Sequence, residues 1–280
     1  MKISVFSLFR DSQASISQCL SQLEAIEVHT NASFEYYFYE NDSQDNTLET
    51  LTQWMRGRKG KLLGETLGLP SHGSTLEAER MIKMATIRNK MANLGRPTDA
   101  DYCLILDSDV EFSEDIVNDF LAYKDLDFSM LTSNLRQNVP CKMGSGDSSS
   151  YYDSLSLFDT AGNHCMTWSS NPFYEEEDRE RFEKGEPIEV LRAFGGVALI
   201  KGSYFNKVRW ASNGQLEHWA LCDALSGYGK IYFLPTITPR VSIAEQTWPH
   251  EGQVIEMQTK LLMEPWERFL LKVGAHKGNI

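Results

Sequence analysis

Apolar residues recur along the first hundred positions in two alternating rhythms. ISVFSLF (3–9), FEYYFYE (34–40), KLLGE (61–65) and YCLILD (102–107) are short runs of strand length, bounded by polar, turn-forming residues. Between them, SISQCLSQLEAI (15–26), DNTLETLTQWM (45–55) and a longer segment over about 75–93 space their apolar residues for helices. Strand alternating with helix predicts an α/β fold, a mostly parallel sheet with helices on both faces. In such sheets ligands bind in the crevice beyond the carboxyl ends of the strands. Three of those ends are polar: Arg10 with Asp11, Glu40 with Asn41 and Asp42, and Asp107 with Asp109.

After position 112 the rhythm loosens. YYDSLSLFD (151–159), AFGGVALI (193–200) and KIYFLP (230–235) predict further strands, and LEHWALCDAL (216–225) a helix. PCKMGSGDSSS (140–150) has the composition of a mobile loop, and EEEDRERFEKGE (175–186) that of a solvated charged segment. No internal repeat or linker stands out. The expected organisation is therefore one domain over 1–280, with a regular half (1–112) and an irregular half (113–280).

The long predicted helix contains an inconsistency. At about 100° per residue, Ala78, Met81, Ile82, Ala85 and Ala92 fall on one stripe, and Glu79, Arg80, Lys83 and Lys90 on the opposite face. Arg88 and Asn89 fall inside the apolar stripe. A guanidinium on a buried face needs a partner. Either it forms a structural ion pair with a strand-end carboxylate, or the two residues face a ligand there.

LILDSDVEF (104–112) raises a related question. In an extended chain Asp107 and Asp109 would share one side and Ser108 take the other. Two carboxylates so close repel unless a cation lies between them. A solvated acidic turn and a metal site are the two readings.

Composition narrows the choice. The chain has 280 residues, 41% hydrophobic and 24% charged, as a soluble domain with a sizeable core requires. No apolar stretch reaches the ~18 residues of a bilayer span, and the start is too quickly polar for a signal peptide. Five scattered cysteines (Cys19, Cys103, Cys141, Cys165, Cys222) form no C-x-x-C pair, so a reducing, cytoplasmic setting is expected. A net charge of −12 argues against nucleic acid. It also means that an anionic ligand would need a local cation.

With these motifs in order, the sequence resembles the nucleotide-sugar glycosyltransferases of the GT-A (Rossmann-like) fold. The resemblance rests on YENDSQDNT (39–47) after the second strand and an A-x-x-R-N signature at Ala85, Arg88 and Asn89. It rests also on D-x-D at Asp107, Ser108 and Asp109. The wording of YENDS and YYDSLSL is most similar to the fungal capsule and mannan mannosyltransferase-like families. Ordered matches cover roughly 3–112, with weaker echoes at YYD, FGG and EH.

That resemblance implies a metal-dependent hexosyl transfer from a nucleoside-diphosphate sugar to a glycan or glycoconjugate, as in polysaccharide biosynthesis. It implies Mn²⁺, or Mg²⁺, held by Asp107 and Asp109 with His250 completing the shell. The donor would lie against Phe9, Arg10, Glu40, Asn41, Arg88, Asn89, Asp107, Ser108, Gly195 and Gly196. Tyr152 and Asp153 would meet the acceptor, and Glu217, with His218 in reserve, would supply the acceptor-side base of an inverting reaction; a retaining reaction, left open by the sequence, needs no such base. Each has a plainer reading: capping of a helix by Asp45 beside Asp42, a bulge at the glycines, core packing for Tyr151 and Tyr152, a dipole effect for Glu217. The chemistry itself is coherent, because a hard divalent cation needs only one or two protein carboxylates when phosphates fill the rest of its shell.

Rival classes fit less well. A sugar nucleotidyltransferase needs a glycine-rich phosphate loop after the first strand, and FSLFRDSQAS has no glycine. A haloacid-dehalogenase-type phosphatase carries D-x-D on the first strand, and a dinucleotide oxidoreductase needs G-x-G-x-x-G. A sugar-binding domain of the same fold without turnover remains the alternative from another class.

Overall fold

The computed structural model describes residues 1–70, 77–137, 149–165 and 169–241; His250 lies outside them. The regular half runs β1 (Lys2–Phe9), α1 (Ile16–His29), β2 (Ser33–Asn41), α2 (Thr47–Trp54), β3 (Gly60–Glu65), α3 (Ala78–Gly95) and β4 (Tyr102–Asp107). Next come β5 (Val110–Glu111), α4 (Ile116–Leu121), β6 (Phe128–Ser133), β7 (Arg136–Gln137), β8 (Ser150–Tyr151) and β9 (Phe158–Asp159). The chain continues with α5 (Glu176–Glu183), β10 (Ile188–Arg192), β11 (Val197–Lys201) and α6 (Gly202–Phe205). It closes with α7 (Glu217–Ser226), β12 (Lys230–Leu234) and β13 (Arg240–Val241).

Among the described residues one sheet has the order β3-β2-β1-β4-β11-β6-β12-β10-β9, and a smaller one β5-β13-β7-β8. The first four strands pair in parallel, and β11 enters antiparallel between β4 and β6. The strand reversal beside β4 is where a crevice opens.

Alternation along the strands sorts the core into two layers. Phe6, Cys103 and Ile105 pack under Ala85, Met91 and Ala92 of α3 and Leu221 and Leu225 of α7. Val5, Leu104 and Leu106 face the opposite way, onto Cys19 and Leu23 of α1, Leu51 of α2 and Phe120 of α4. By the same parity Asp107, two positions beyond Ile105, ends β4 on the α3/α7 side.

Several expectations are corrected. The buried stripe of α3 is Met81, Ala85, Arg88, Ala92 and Gly95, flanked by Ile87 and Met91. Ile82 is 47% exposed and Ala78 also faces water, so the stripe is rotated from the predicted line and Arg88 lies at its centre. YYDSLSLFD is not one strand. β8 belongs to the small sheet and β9 to the edge of the large one. Between them Ser156 donates to the Asp153 backbone and side chain, a local bonding pattern that competes with a ladder. The charged segment at 175–186 folds as α5, with no buried residue and three acidic groups in its first turn, where the helix dipole favours them. No helix among the described residues is long and apolar enough to cross a membrane.

Candidate active site

The loops after β1 and β2 are laced together by their polar side chains. Gln44 N–H donates to Asp11 (2.7 Å), Asp11 N–H to Ser43 (2.9 Å), and Gln13 N–H to Asp45 (3.0 Å). Asp45 also accepts from Thr47 N–H (2.9 Å), a local turn that leads into α2; the cap position itself is Asn46, which makes no side-chain cap bond, so Asp45 is not the cap expected of it. Glu40 is buried, and its Oε1 accepts from Ser43 N–H (2.8 Å). Asp42, held at φ 59°, gathers the chain beyond β3 by accepting from the N–H groups of Leu67, Gly68 and Leu69, while Asn41 donates to its Oδ2. Burial alone would push its carboxyl up; the Asn41 and backbone donors outweigh that and hold it below the usual carboxylate range. Arg10 grips the same segment from the other side, donating to the carbonyls of Leu69 (2.7 Å) and Pro70 (3.1 Å). Phe9 is a core residue, its ring against Phe38. Of the expected donor-side residues, Phe9 is therefore packed in the core, and Arg10, Glu40 and Asn41 bond within the loops beyond β1, β2 and β3 and are not among the residues that line the cleft.

A second group surrounds Arg88, which is buried (6% exposed). Its Nε donates to Glu217 Oε1 (2.9 Å), and its Nη2 to Asp107 Oδ1 (3.3 Å). The guanidinium also faces the Phe194 ring (5.4 Å), which stacks on the His218 imidazole at 4.0 Å. One cation is shared by a carboxylate from the end of β4 and another from the first turn of α7. Burial would lower the Arg88 pKa, but Asp107 and Glu217 more than compensate and raise it.

The two carboxylates respond differently. Burial pushes Asp107 up despite Arg88. Burial would also push Glu217 up, but His218 and Arg88 beside it hold it below the ordinary glutamate range. His218 is itself driven down to about 3 by burial and by Arg88, so it is neutral near pH 7. Arg88 is then the cation that keeps Glu217 ionised there. Trp210 Nε1, which can only donate, lies 3.5 Å from His218 Nδ1 and assigns the remaining ring proton to Nε2, facing Glu217 at 3.6 Å.

Asn89 has a structural task. Its amide donates to Trp210 O (2.7 Å) and accepts from Trp210 N–H (3.1 Å), which fixes the segment carrying the indole.

Asp153 completes the site. Its Oδ2 accepts from Gly195 N–H (2.8 Å) and from the Ser156 hydroxyl. Gly195 stands at φ +72°, and a Cβ there would lie 2.0 Å from the Ser133 carbonyl oxygen, so no other residue fits. Gly196 O in turn accepts from Asp107 N–H (2.9 Å). Burial pushes the Asp153 carboxyl up to about 6, with Ser156 and Gly195 opposing and Asp107 and Glu217 assisting.

These groups enclose a cleft of about 140 Å³, lined by Arg80, Arg88, Asp107, Tyr152, Asp153, Phe194, Gly196, Glu217 and His218 among others. Of the residues expected from sequence, it unites Arg88, Asp107, Tyr152, Asp153, Gly196, Glu217 and His218, with Gly195 behind Asp153. Ser108 and Asp109 form the turn after β4. The Ser108 hydroxyl lies 3.5 Å from that of Ser12, and the Asp109 charge acts on the Cys19 thiol of α1. The extended geometry that would set Asp107 and Asp109 on one side therefore stops at Asp107. Arg80, expected on the solvent face, lines the cleft; burial lowers its pKa, with the Glu217 charge opposing. Phe194 and Trp210 carried no signal beyond their aromatic character.

Comparison with known proteins gives the family and the fold. A family model described as Cryptococcal mannosyltransferase 1 matches residues 4–226. A search of curated protein sequences found no match. Among solved structures, S. aureus TarS (residues 1–349) superposes with a TM-score of 0.51 at 14% identity, covering 86% of this chain and 60% of that one. GalNAc-T7 with UDP, GalNAc and Mn²⁺ gives 0.58 at 16% identity, covering 89% and 45%. The mannosyltransferase PcManGT from Pyrobaculum calidifontis, in complex with GDP-Man and Mn²⁺, gives 0.50 at 11%, covering 88% and 58%. At such identities the likeness is one of fold, and this chain spans about 60% of the length of the TarS chain. The family match extends from β1 to the last residue of α7, so the chain belongs to the family described as Cryptococcal mannosyltransferase 1, within the GT-A glycosyltransferase fold.

Proposed function

We propose that this chain transfers a sugar, mannose before others, from a nucleoside-diphosphate sugar to a hydroxyl of a glycan or glycoconjugate, with a divalent cation. The observation that carries the reading is the shared guanidinium. Arg88 ties Asp107, at the carboxyl end of a central strand, to Glu217, at the start of a helix, on the wall of a cleft where this fold binds ligands. The family and the structures of PcManGT and GalNAc-T7, one with GDP-Man and both with Mn²⁺, support mannose and a metal.

The donor set fits a hard cation. Asp107 keeps a third of its side chain in water at the cleft while Arg88 occupies only its Oδ1; Asp109, in the turn after β4, is not among the residues that line the cleft and would have to turn toward it to share the ion. No cluster of three His, Cys, Asp or Glu occurs among the described residues. Mn²⁺ or Mg²⁺ does not require one, since one or two carboxylates suffice when phosphates and water supply the other oxygens. Asp107 and Asp109 would hold the ion, and its chemistry would be to offset charge developing on the departing diphosphate.

The chain's own residues supply the rest. In a protein of net charge −12, Arg80 and Arg88 offset only part of the charge of Asp107, Asp153 and Glu217 around the cleft, so an anionic donor needs the added divalent cation. Tyr152, 40% exposed at the cleft, offers a ring on which a sugar can stack. Phe194 and Leu135 form an apolar wall that limits water near the reacting centre.

The test is thermal stability with GDP-mannose, UDP-sugars and the free diphosphates, each with Mn²⁺ or with chelator, followed by product analysis. A donor at 100 times its Kd stabilises by about 2.7 kcal/mol, which a melting curve resolves. Stabilisation by no nucleotide in Mn²⁺ would sink the functional reading. Equal stabilisation in chelator would sink the metal alone.

A further inference from the structure

Two arginines reach the cleft from α3, and the fold places them differently. Positions 80, 84 and 88 are spaced by four, so Arg80, Met84 and Arg88 form one row along the helix, and all three line the cleft. Arg88 is the inner end of the row. It is buried, and its Nε and Nη2 are given to Glu217 and Asp107. A ligand that drew those nitrogens away would leave two carboxylates facing one another. Arg88 is therefore part of the wall.

Arg80 is the outer end, half-buried and two turns nearer the start of α3, about 12 Å along the axis. It is the lining cation that stands outside the Asp107–Arg88–Glu217 group. Asp107 and Arg80 still act on one another by charge. With Arg88 on its Oδ1, Asp107 is open to a ligand from the cleft, and Arg80 lines that same space. Burial lowers the Arg80 pKa, with Glu217 opposing, whereas the pKa of Arg88 is raised. An anion beside Arg80 would support its charge as the two carboxylates support that of Arg88.

Resting on the function proposed above, we infer that Arg80 binds the diphosphate of the donor in this cleft and stabilises it as it departs. The bond from the anomeric carbon to the diphosphate oxygen breaks, and its electron pair stays on that oxygen, which leaves with one more negative charge. The acceptor oxygen bonds to the carbon, and the hydroxyl proton is released with the products. Retention and inversion both break this bond, so the role is common to either course. Arg80 transfers no proton. Its N–H groups meet phosphate oxygens whose charge grows, and the contact strengthens as the bond breaks. Asp107, Asp153 and Glu217 all oppose new negative charge in the cleft, which is why a cation on its wall matters.

Arg80→Met keeps the stem in the row and removes the charge. With Mn²⁺ present, affinity for GDP and for GDP-mannose, read by thermal shift, should fall about tenfold. With methyl α-mannoside as hydroxyl source, kcat should fall by about 10²-fold, because the contact is strongest at the transition state. The Tm of the unliganded variant should stay within about 2 °C of wild type, as expected of a half-exposed residue in a first helical turn. Arg80→Lys should recover part of the GDP affinity. Millimolar guanidinium, and not equal sodium chloride, should recover part of the turnover of Arg80→Ala. GDP affinity and turnover of Arg80→Met both within about threefold of wild type overturn the role. So does a loss confined to the KM for the acceptor with GDP affinity kept, or turnover lost in proportion to Tm with no response to guanidinium. Should the Met variant not fold, Arg80→Gln also removes the charge; folded and within about threefold of wild type, it overturns the role equally. A wild-type chain stabilised by no nucleotide in Mn²⁺ removes the functional reading and this role together, a result distinct from a variant that matches a wild type that does bind.

Discussion

Replacing Arg88 with methionine keeps the aliphatic stem on the buried stripe of α3 and removes only the guanidinium. Two carboxylates, Glu217 with 5% of its side chain exposed and Asp107 with 33%, then face one another with their shared cation gone. Removing one partner of a buried pair typically costs about 3–5 kcal/mol, because the remaining charge is left uncompensated. The Glu217 arm carries most of this, since Asp107 is partly solvated. For a domain of this size that is a drop in Tm of roughly 10 °C or more.

The pH dependence gives the sharper test. In the wild type Glu217 is held below its unfolded value, so its stabilisation is present above pH ~4.3 and lost only as pH falls through the lower folded value. In the variant the sign reverses: without Arg88 its folded pKa rises above ~4.3, so the penalty is full at pH 8 and disappears as acid protonates the pair. Melting curves of both proteins between pH 5 and 8 should therefore converge toward pH 5. Adding Glu217→Gln to Arg88→Met should recover about 1–3 kcal/mol relative to the single variant. A gap that does not change with pH, or an additive double mutant, would refute the shared-cation account.

Asp109→Ala should abolish Mn²⁺-dependent stabilisation by the donor while leaving the Tm of the unliganded protein nearly unchanged, since a turn carboxylate contributes little packing; differential scanning with and without chelator checks both. Gly195→Ala should destabilise by at least about 2 kcal/mol in a denaturant titration, because alanine is strained at φ +72° and its methyl collides with the Ser133 carbonyl. Asn89→Ala removes both hydrogen bonds to the Trp210 backbone and should cost about 1–3 kcal/mol, read in the same titration.

Legibility followed periodicity. β1 to β4 and the three helices between them were readable within a few residues, because each is long enough to show its period and is bounded by turn chemistry. β5, β7, β8, β9 and β13 are two residues each and have no period to read. The antiparallel entry of β11 beside β4 is a tertiary choice with no local signature. Arg80 was misplaced because the helical stripe was drawn through Ala78 and Ile82, which the sheet does not cover. The task of Asp42 was not legible, because a strand-end acid that meets a ligand and one that organises a loop are identical in sequence. Only the partners of Asp42, the N–H groups of residues 67 to 69, reveal its task.

The central contact of the site follows from two periodicities meeting. Along β4 the side chains alternate, so Cys103, Ile105 and Asp107 share the face under α3, with the acid placed where the strand ends. Along α3 the covered positions run 81, 85, 88, 92 and 95, spacings of four and three that keep one line on a helix. Arg88 is the charged member of that line, as Asp107 is of its strand face. Neither is tolerable there alone: the arginine would be an unpaired buried cation, and the aspartate a carboxylate raised by burial. Shifting either pattern by one residue would turn one group away and strand the other. A pair that must be placed by both elements, and is then shared with Glu217 from a third, is poorly explained as a stability device, since apolar residues of similar volume often do as well at such positions. It is better explained by what the cleft beside it has to hold.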